Sequence, residues 1–324
     1  MRKIIFYTLF IASVALSSCQ KDIDVFVPDP SANLGTWYNT IDNTMPVADL
    51  KLSLRLPIYK DSFSVNSLPA SPITGSGLQC YFPPGSIVSA AGQPVIGTVN
   101  IETYLLKSRG DMIKMNTPTT SGGRLLVSGG ELFIRLMQNG SELQLAQQNN
   151  HYFLDFADPQ PSPLMRLFTG DESNPAAFNW LPLADTINSV IASGQTYSIR
   201  TNQLHWINCD HFFDTTGIPQ TIVSANLPAN FTNANSMAFI SFNDMRSVVS
   251  MQGNVTTRKF SSGRLPANRQ ITVVIISKQG NDYYLGHEQA LTAGSSTGTQ
   301  NSQEVTVTPV LTSLDNIKTY LNSL

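Results

Sequence analysis

Apolar runs of five to ten residues, each cut short by a turn rich in glycine, proline or asparagine, recur along this chain. They leave it little choice but a β fold. "SMAFISF" (236–242) and "ITVVIIS" (271–277) are almost continuously apolar, as strands buried on both faces are. In "GGELFIRLMQNGSELQL" (129–145), Leu132, Ile134 and Leu136 face one way and Glu131, Phe133 and Arg135 the other. The Asn139-Gly140 pair suits the left-handed backbone of a tight hairpin turn. "LKLSLRLPIY" (50–59) sets Leu50, Leu52, Leu54 and Leu56 at a period of two, which predicts a half-buried strand. "LADTINSVIASG" (183–194) fits either a short helix or a pair of strands. One helix is expected at 314–324, where Leu314, Ile317, Leu321 and Leu324 follow helical spacing behind an N-cap at Thr312 or Ser313.

Composition agrees. Charged residues make up 13% of the 324, against about 25% in an ordinary domain. Asn, Gln, Ser, Thr, Gly and Pro fill the gap, which favours strands joined by polar turns over charged amphipathic helices. Net charge is −2 and no Lys/Arg stripe occurs, so the basic footprint of a nucleic-acid binder is missing.

The N-terminus predicts export. Arg2 and Lys3 precede an uncharged, mostly apolar stretch from Ile4 to Leu16, too short for a comfortable membrane span. "LSSC" then resembles the bacterial lipobox, and the resemblance implies cleavage after residue 18 and a lipid on Cys19. Several acyl chains, at about 0.8 kcal/mol per buried CH₂, make a stable anchor. Gln20 replaces the aspartate of inner-membrane retention signals, and Lys21, Asp22 and Asp24 look like the charged tag of surface lipoproteins in the Bacteroidota. The expectation is an outer-membrane lipoprotein on the cell surface, its membrane contact made through Cys19. With Cys19 lipidated, Cys80 and Cys209 remain as a candidate disulfide pair outside the cytoplasm.

"HWINCDHFFD" (205–214) concentrates the reactive side chains. In a strand, His205, Ile207, Cys209 and His211 share one face, and Trp206, Asn208, Asp210 and Phe212 the other. His205, Cys209 and His211 on one side could supply three zinc ligands, and Cys209 with His211 alone would need further ligands from His151, His287 or carboxylates. Residues four and six apart on a straight strand span about 14 and 20 Å, too far for one ion with ligands near 2 Å. A Cys209–His211 nucleophile pair lacks an oxyanion hole or an orienting acid. The favoured reading is a core strand with Trp206 and Ile207 packed between two domains. The acids Glu102, Glu131, Glu142, Asp155, Asp171, Glu172 and Asp210 form no recognisable catalytic pair. Trp37, Trp180 and Trp206 are read as core residues. "SGGRLLVSGG" (121–130) precedes a strand and reads as a turn, not a phosphate cradle.

"YFPPGSIVSAAGQPVIGTVNIETYLL" (81–106) and "DMIKMNTPTTSGGRLLVSGGELFIRLMQNGSELQL" (111–145) resemble a ZU5-like β-sandwich, and "WINCD" (206–210) is similar to an element of large Bacteroidota surface proteins. The resemblance implies a fold and a location, with no catalytic residues. Self-cleavage known in some ZU5-type proteins needs His-Phe-Ser; here His211, Phe212 and Phe213 offer no hydroxyl.

The chain is therefore read as all-β: signal peptide 1–18, lipid-anchored linker 19–35, a ZU5-like sandwich with an irregular insert at 36–215, and an Ig-like sandwich with a C-terminal helix at 216–324. The expected function is a non-catalytic envelope module that binds or scaffolds, with an envelope protein or glycan as partner and no cofactor, metal or nucleic acid. A glycan-binding accessory of a surface uptake system is the first alternative, and a hydrolase with an unrecognised site the second.

Overall fold

Strand pairing in the computed structural model builds two β-sandwiches in succession; it describes residues 34–67, 72–148, 150–173, 178–184, 186–294 and 301–324. The segment 1–18 expected to be a signal peptide, and Cys19, lie outside the described residues. From Asn33 onward the chain is one compact unit.

The first sandwich uses β1 (Tyr59–Ser64), β2 (Gln79–Tyr81), β3 (Ile87–Ser89), β4 (Thr98–Leu106), β5 (Thr120–Ser121), β6 (Arg124–Gln138) and β7 (Ser141–Leu145). It continues with β8 (Tyr152–Ala157), β9 (Arg166–Asp171), β10 (Asn179–Pro182), β11 (Ser189–Ser193), β12 (Thr196–Thr201) and β13 (His205–Phe212). A nine-stranded sheet runs β1-β4-β6-β13-β9-β10, with β3, β5 and β7 off this path. A four-stranded sheet, β11-β12-β8-β2, faces it. Between them Leu132, Ile134, Leu136, Ile207, Cys80 and Cys209 pack with Phe82 and Tyr152, whose rings stack at 5.0 Å.

The second sandwich comprises β14 (Gln220–Asn226), β15 (Ser236–Phe242), β16 (Val248–Ser250), β17 (Gln252–Asn254), β18 (Lys259–Pro266), β19 (Gln270–Gln279), β20 (Asp282–Leu291), β21 (Asn301–Thr306) and β22 (Val310–Thr312). Its sheets run β17-β18-β14-β21 and β16-β15-β19-β20-β22. The β14–β21 pairing is parallel. Ala238, Ile240, Phe242, Val273 and Ile275 fill the space between the sheets. The outer face of β15 and β19 is covered by three helices, α1 (Pro46–Leu54), α2 (Arg109–Met115) and α3 (Leu314–Asn322), which set Val47, Leu50, Leu54, Met112, Ile113, Ile317 and Leu321 on Phe239, Val274 and Ile276. That cover explains why both apolar runs read as doubly buried strands.

Several local expectations hold. Asn139 (φ 51°) and Gly140 (φ 78°) make the two-residue turn joining Gln138 to Ser141. The Ser313 hydroxyl caps α3, accepting from the Asn316 amide at 3.1 Å. Within the ambiguous stretch at 183–194 only Ser189–Ser193 is strand, β11, paired to β12 around Gly194.

The leucine-rich segment at 50–59 is a correction. It is not a strand: α1 occupies 46–54, with Pro46 in its first turn. Leu50, Leu52, Leu54 and Leu56 satisfy a period of two, but Val47, Leu50 and Leu54 also satisfy the helical three-and-four spacing. The helical set has a surface to cover and wins, leaving Leu52 68% exposed. Strand pairing begins only at Tyr59, after Pro57.

Candidate functional site

The sandwiches meet at an irregularity in β6. Cys209 pairs with Gly130 but Asp210 pairs with Ser128, so Gly129 bulges out of register. A Cβ on Gly129 would sit 2.9 Å from the Cys209 carbonyl oxygen and 3.0 Å from the Tyr197 ring, which is why glycine stands there. The loop before β16 docks against this bulge. The Ser128 amide donates to the Arg246 carbonyl at 2.9 Å, the Ser247 hydroxyl to the Leu126 carbonyl at 2.6 Å, and the Thr119 amide to the Val248 carbonyl at 2.8 Å. Arg246 donates to the Gly129 carbonyl and to Asp158, both at 2.8 Å. Burial raises the Asp158 carboxyl, but the Arg246 bond and charge, with the Gln160 amide, outweigh it and hold it below the usual range.

Beside this junction lie two acids sealed from solvent. Glu131 faces Asn208 across β6 and β13, and Asp210 follows two residues on, both carboxylates fully buried. Thr117 donates to Glu131 Oε2 at 2.5 Å and Asn208 to Asp210 Oδ2 at 2.7 Å. Glu131 Oε1 and Asp210 Oδ1 have no hydrogen-bond partner among the described residues. Burial drives the Asp210 pKa up to about 7, against the pull of Ser128, Asn208, Arg246 and the Gly129 amide. Burial likewise lifts Glu131 well above the carboxylate range, with the Asp210 charge adding to the shift. In both, burial favours the protonated form, and both are sealed from solvent.

Of the dense stretch at 205–214, His205–Phe212 form β13, buried from Trp206 to Asp210. Ile207 and Cys209 face the core between the sheets. Trp206 is buried, but not between the two sandwiches as the sequence suggested. Its cluster, with Tyr104, Leu126, Phe168 and Trp180, covers the outer face of the nine-stranded sheet and draws only on residues 56–212. Trp180 is also fully buried, and the half-buried Trp37 packs on Phe260 at 5.1 Å. His205 has a left-handed backbone (φ 63°); its ring lies over Phe133 and bonds Glu142, away from the Ile207 face. His211 is half-buried, and burial lowers its pKa. Among the described residues no three His, Cys, Asp or Glu side chains converge to hold a metal ion.

Cys80 and Cys209 are free thiols in the structure, not a disulfide. They sit on facing sheets within one core, and burial raises both thiols well above their ordinary pKa. Neither is a nucleophile at neutral pH. Of the remaining acids, Glu102 pairs with Lys60 and Arg135, while Asp171 lies beside the second feature of interest.

That feature is an open groove of about 1700 Å³. The segment before α1, the end of α2, β17 and the Gly123 turn form its walls. Its lining is mixed: amides such as Asn116, Asn179 and Asn254 alternate with apolar side chains such as Ile41, Leu52 and Val249, the rings are Tyr38, Phe178, Phe239 and Phe260, and the charges are Asp42, Lys51, Asp171 and Arg264. No helix among the described residues is long and apolar enough to cross a membrane. Neither a protein-family model nor a curated protein sequence matches the chain.

Proposed function

We propose that this chain is a non-catalytic binding or scaffolding module of a bacterial outer membrane, tethered by lipid on Cys19. One contrast supports the reading. The acids with raised pKa, Glu131 and Asp210, are sealed at the sandwich junction, whereas the open groove offers amides, hydroxyls, rings and aliphatic side chains with scattered charges. Catalysis by general acid needs the acid within reach of a substrate. A wide groove of mixed polar and apolar lining suits an extended partner that offers both hydrogen-bonding groups and apolar surface.

The test uses the full chain in its own membrane. A photo-crosslinking residue at Asn254 should give a discrete adduct, while the same residue at the exposed Glu288 should not. Equal labelling at both positions would remove the groove from the proposal. Cys19→Ala should shift the protein out of the membrane fraction. A wild-type chain with an unmodified N-terminus elsewhere would remove the anchor.

A further inference from the structure

The outward face of the four-stranded sheet carries two exposed rings and two charged side chains. Strand register sets Ser189, Arg200, Phe153 and Tyr81 in one row across β11, β12, β8 and β2. The next row is Ile191, Ser198, Asp155 and Gln79. Their chain neighbours Cys80, Tyr152 and Leu154 point into the core, so both rows face out. Tyr81 and Phe153 are each 37% exposed, with ring centroids 5.8 Å apart in an edge-on arrangement. His151 stands edge-on to Phe153 at 5.6 Å and extends the ring surface along β8.

Charge is placed around these rings in an unusual way. Arg200 is paired in register with Phe153, and Asp155 with Ser198, so the two charged residues are diagonal neighbours. Such positions lie about 7–8 Å apart, within reach of an arginine side chain. They form no ion pair, and neither side chain makes a hydrogen bond to any described residue. A guanidinium and a carboxylate thus flank an aromatic step with their hydrogen-bonding capacity unspent.

We propose that this face binds a neutral oligosaccharide. A pyranose ring has an apolar C–H face and a rim of hydroxyls that both donate and accept. The exposed parts of Tyr81 and Phe153, set edge-on as two sides of a step, match the first, since they bury apolar area at small cost in rotamer freedom. Arg200, which only donates, and Asp155, which only accepts, match the second. Strands about 4.8 Å apart set rings and polar groups close to one sugar width from each other. The charges of Arg200 and Asp155 cancel, so the face has no basic field to draw a polyanion. Its apolar area is two rings and Ile191, interrupted by polar residues, which is short of the continuous core of a stable protein interface. None of these residues lines the groove described above, so the inference goes beyond the groove-based reading and does not depend on it.

The experiment is biolayer interferometry of the full chain in detergent over immobilised gluco-, manno-, xylo- and galacto-oligosaccharides, with polygalacturonate as the charged control. At least one neutral oligosaccharide should bind, and polygalacturonate should not bind better. Tyr81→Ala and Phe153→Ala should each weaken binding tenfold or more. Arg200→Met, which keeps the side-chain stem, should weaken it comparably and covers the case in which Phe153→Ala does not fold. Glu288→Gln should leave binding unchanged. Absence of binding to the whole neutral set overturns the proposal, as does binding that survives Tyr81→Ala and Arg200→Met, or preference for the polyanion. The Asn254 crosslink should persist in all these variants, which separates failure here from failure of the groove.

Discussion

Arg246, from the loop before β16, bonds Asp158, at the end of β8, at 2.8 Å and so ties the second sandwich to the first. Asp158 is 2% exposed, and the same guanidinium also holds the Gly129 carbonyl at the bulge. Removing a partner from a buried pair typically costs about 3–5 kcal/mol, because the remaining charge is stranded. Arg246→Ala should therefore destabilise the protein by that order in urea unfolding. The double change Arg246→Met with Asp158→Asn should cost clearly less. The folded Asp158 pKa is depressed, so its contribution is present above the unfolded value of about 3.9 and is lost as pH falls through the folded one.

Asp210 works in the opposite direction. Its folded pKa of about 7 exceeds the unfolded value near 3.9, so the native state binds the extra proton. The stability this gives is complete below about pH 4, falls as pH rises, and is lost above about pH 7, a swing on the order of 4 kcal/mol. Glu131 adds to the same trend. Asp210→Asn keeps an oxygen for the Asn208 amide and removes the titration. Urea midpoints between pH 4 and 8 should be flatter for this variant than for the wild type, and higher than the wild type at pH 8. A wild-type profile that rises across this range would contradict the burial argument.

Helices α2 and α3 touch through Gly110. A Cβ there would lie 1.7 Å from the Leu321 carbonyl oxygen, backbone that cannot turn aside. Lys114, nearly buried, pairs with Asp111 of its own helix at 3.0 Å and reaches across to Asn322 of α3. Gly110→Ala should part the helices and cost more than the 1–3 kcal/mol usual for overpacking. Loss of amide protection at Ile317 and Leu321, measured by hydrogen exchange, would locate the damage.

Trp206 packs parallel to Tyr104 at 6.0 Å and against Gly170, where a Cβ would come within 2.5 Å of its own Cβ. Trp206→Ala should cost about 3–5 kcal/mol, and Gly170→Ala should also destabilise by pushing the indole away. EDTA should leave the melting temperature of the wild type unchanged. A chelator-sensitive melt with stoichiometric zinc would restore the metal reading of His205 and His211.

The strands were legible because burial on one or both faces writes itself into the chain as a period of two or an unbroken apolar run. Ile240 and Val273 are examples, and so is the Asn139-Gly140 turn, whose backbone few other pairs accept. Segment 50–56 misled because its leucines fit two periods, and the choice belongs to a surface formed 180 residues later. The junction acids were harder still. Glu131 and Asp210 read as two among seven scattered acids, since only pairing of β6 with β13 brings them together. The signal available was the Gly129-Gly130 pair inside an otherwise apolar run, a mark of a bulge or close backbone approach. Nothing in the sequence marks Arg200 and Asp155, because their relation exists only in sheet register.

Helix α1 precedes the whole first sandwich, yet its resting place is β15 and β19. The Val47 amide donates to the Ala234 carbonyl at 2.9 Å, and Asn233 clasps the backbone of Tyr38 across 195 residues. Chains are made from the N-terminus, so Val47, Leu50 and Leu54 must wait, uncovered, until some 230 further residues exist. Loop closure over such a span is slow and leaves apolar surface open to wrong partners. Assembly of the helical layer therefore has to follow the strands β15 and β19 that it covers. An attendant that shields the early helix during that wait would do more for yield than any added stability in the finished molecule.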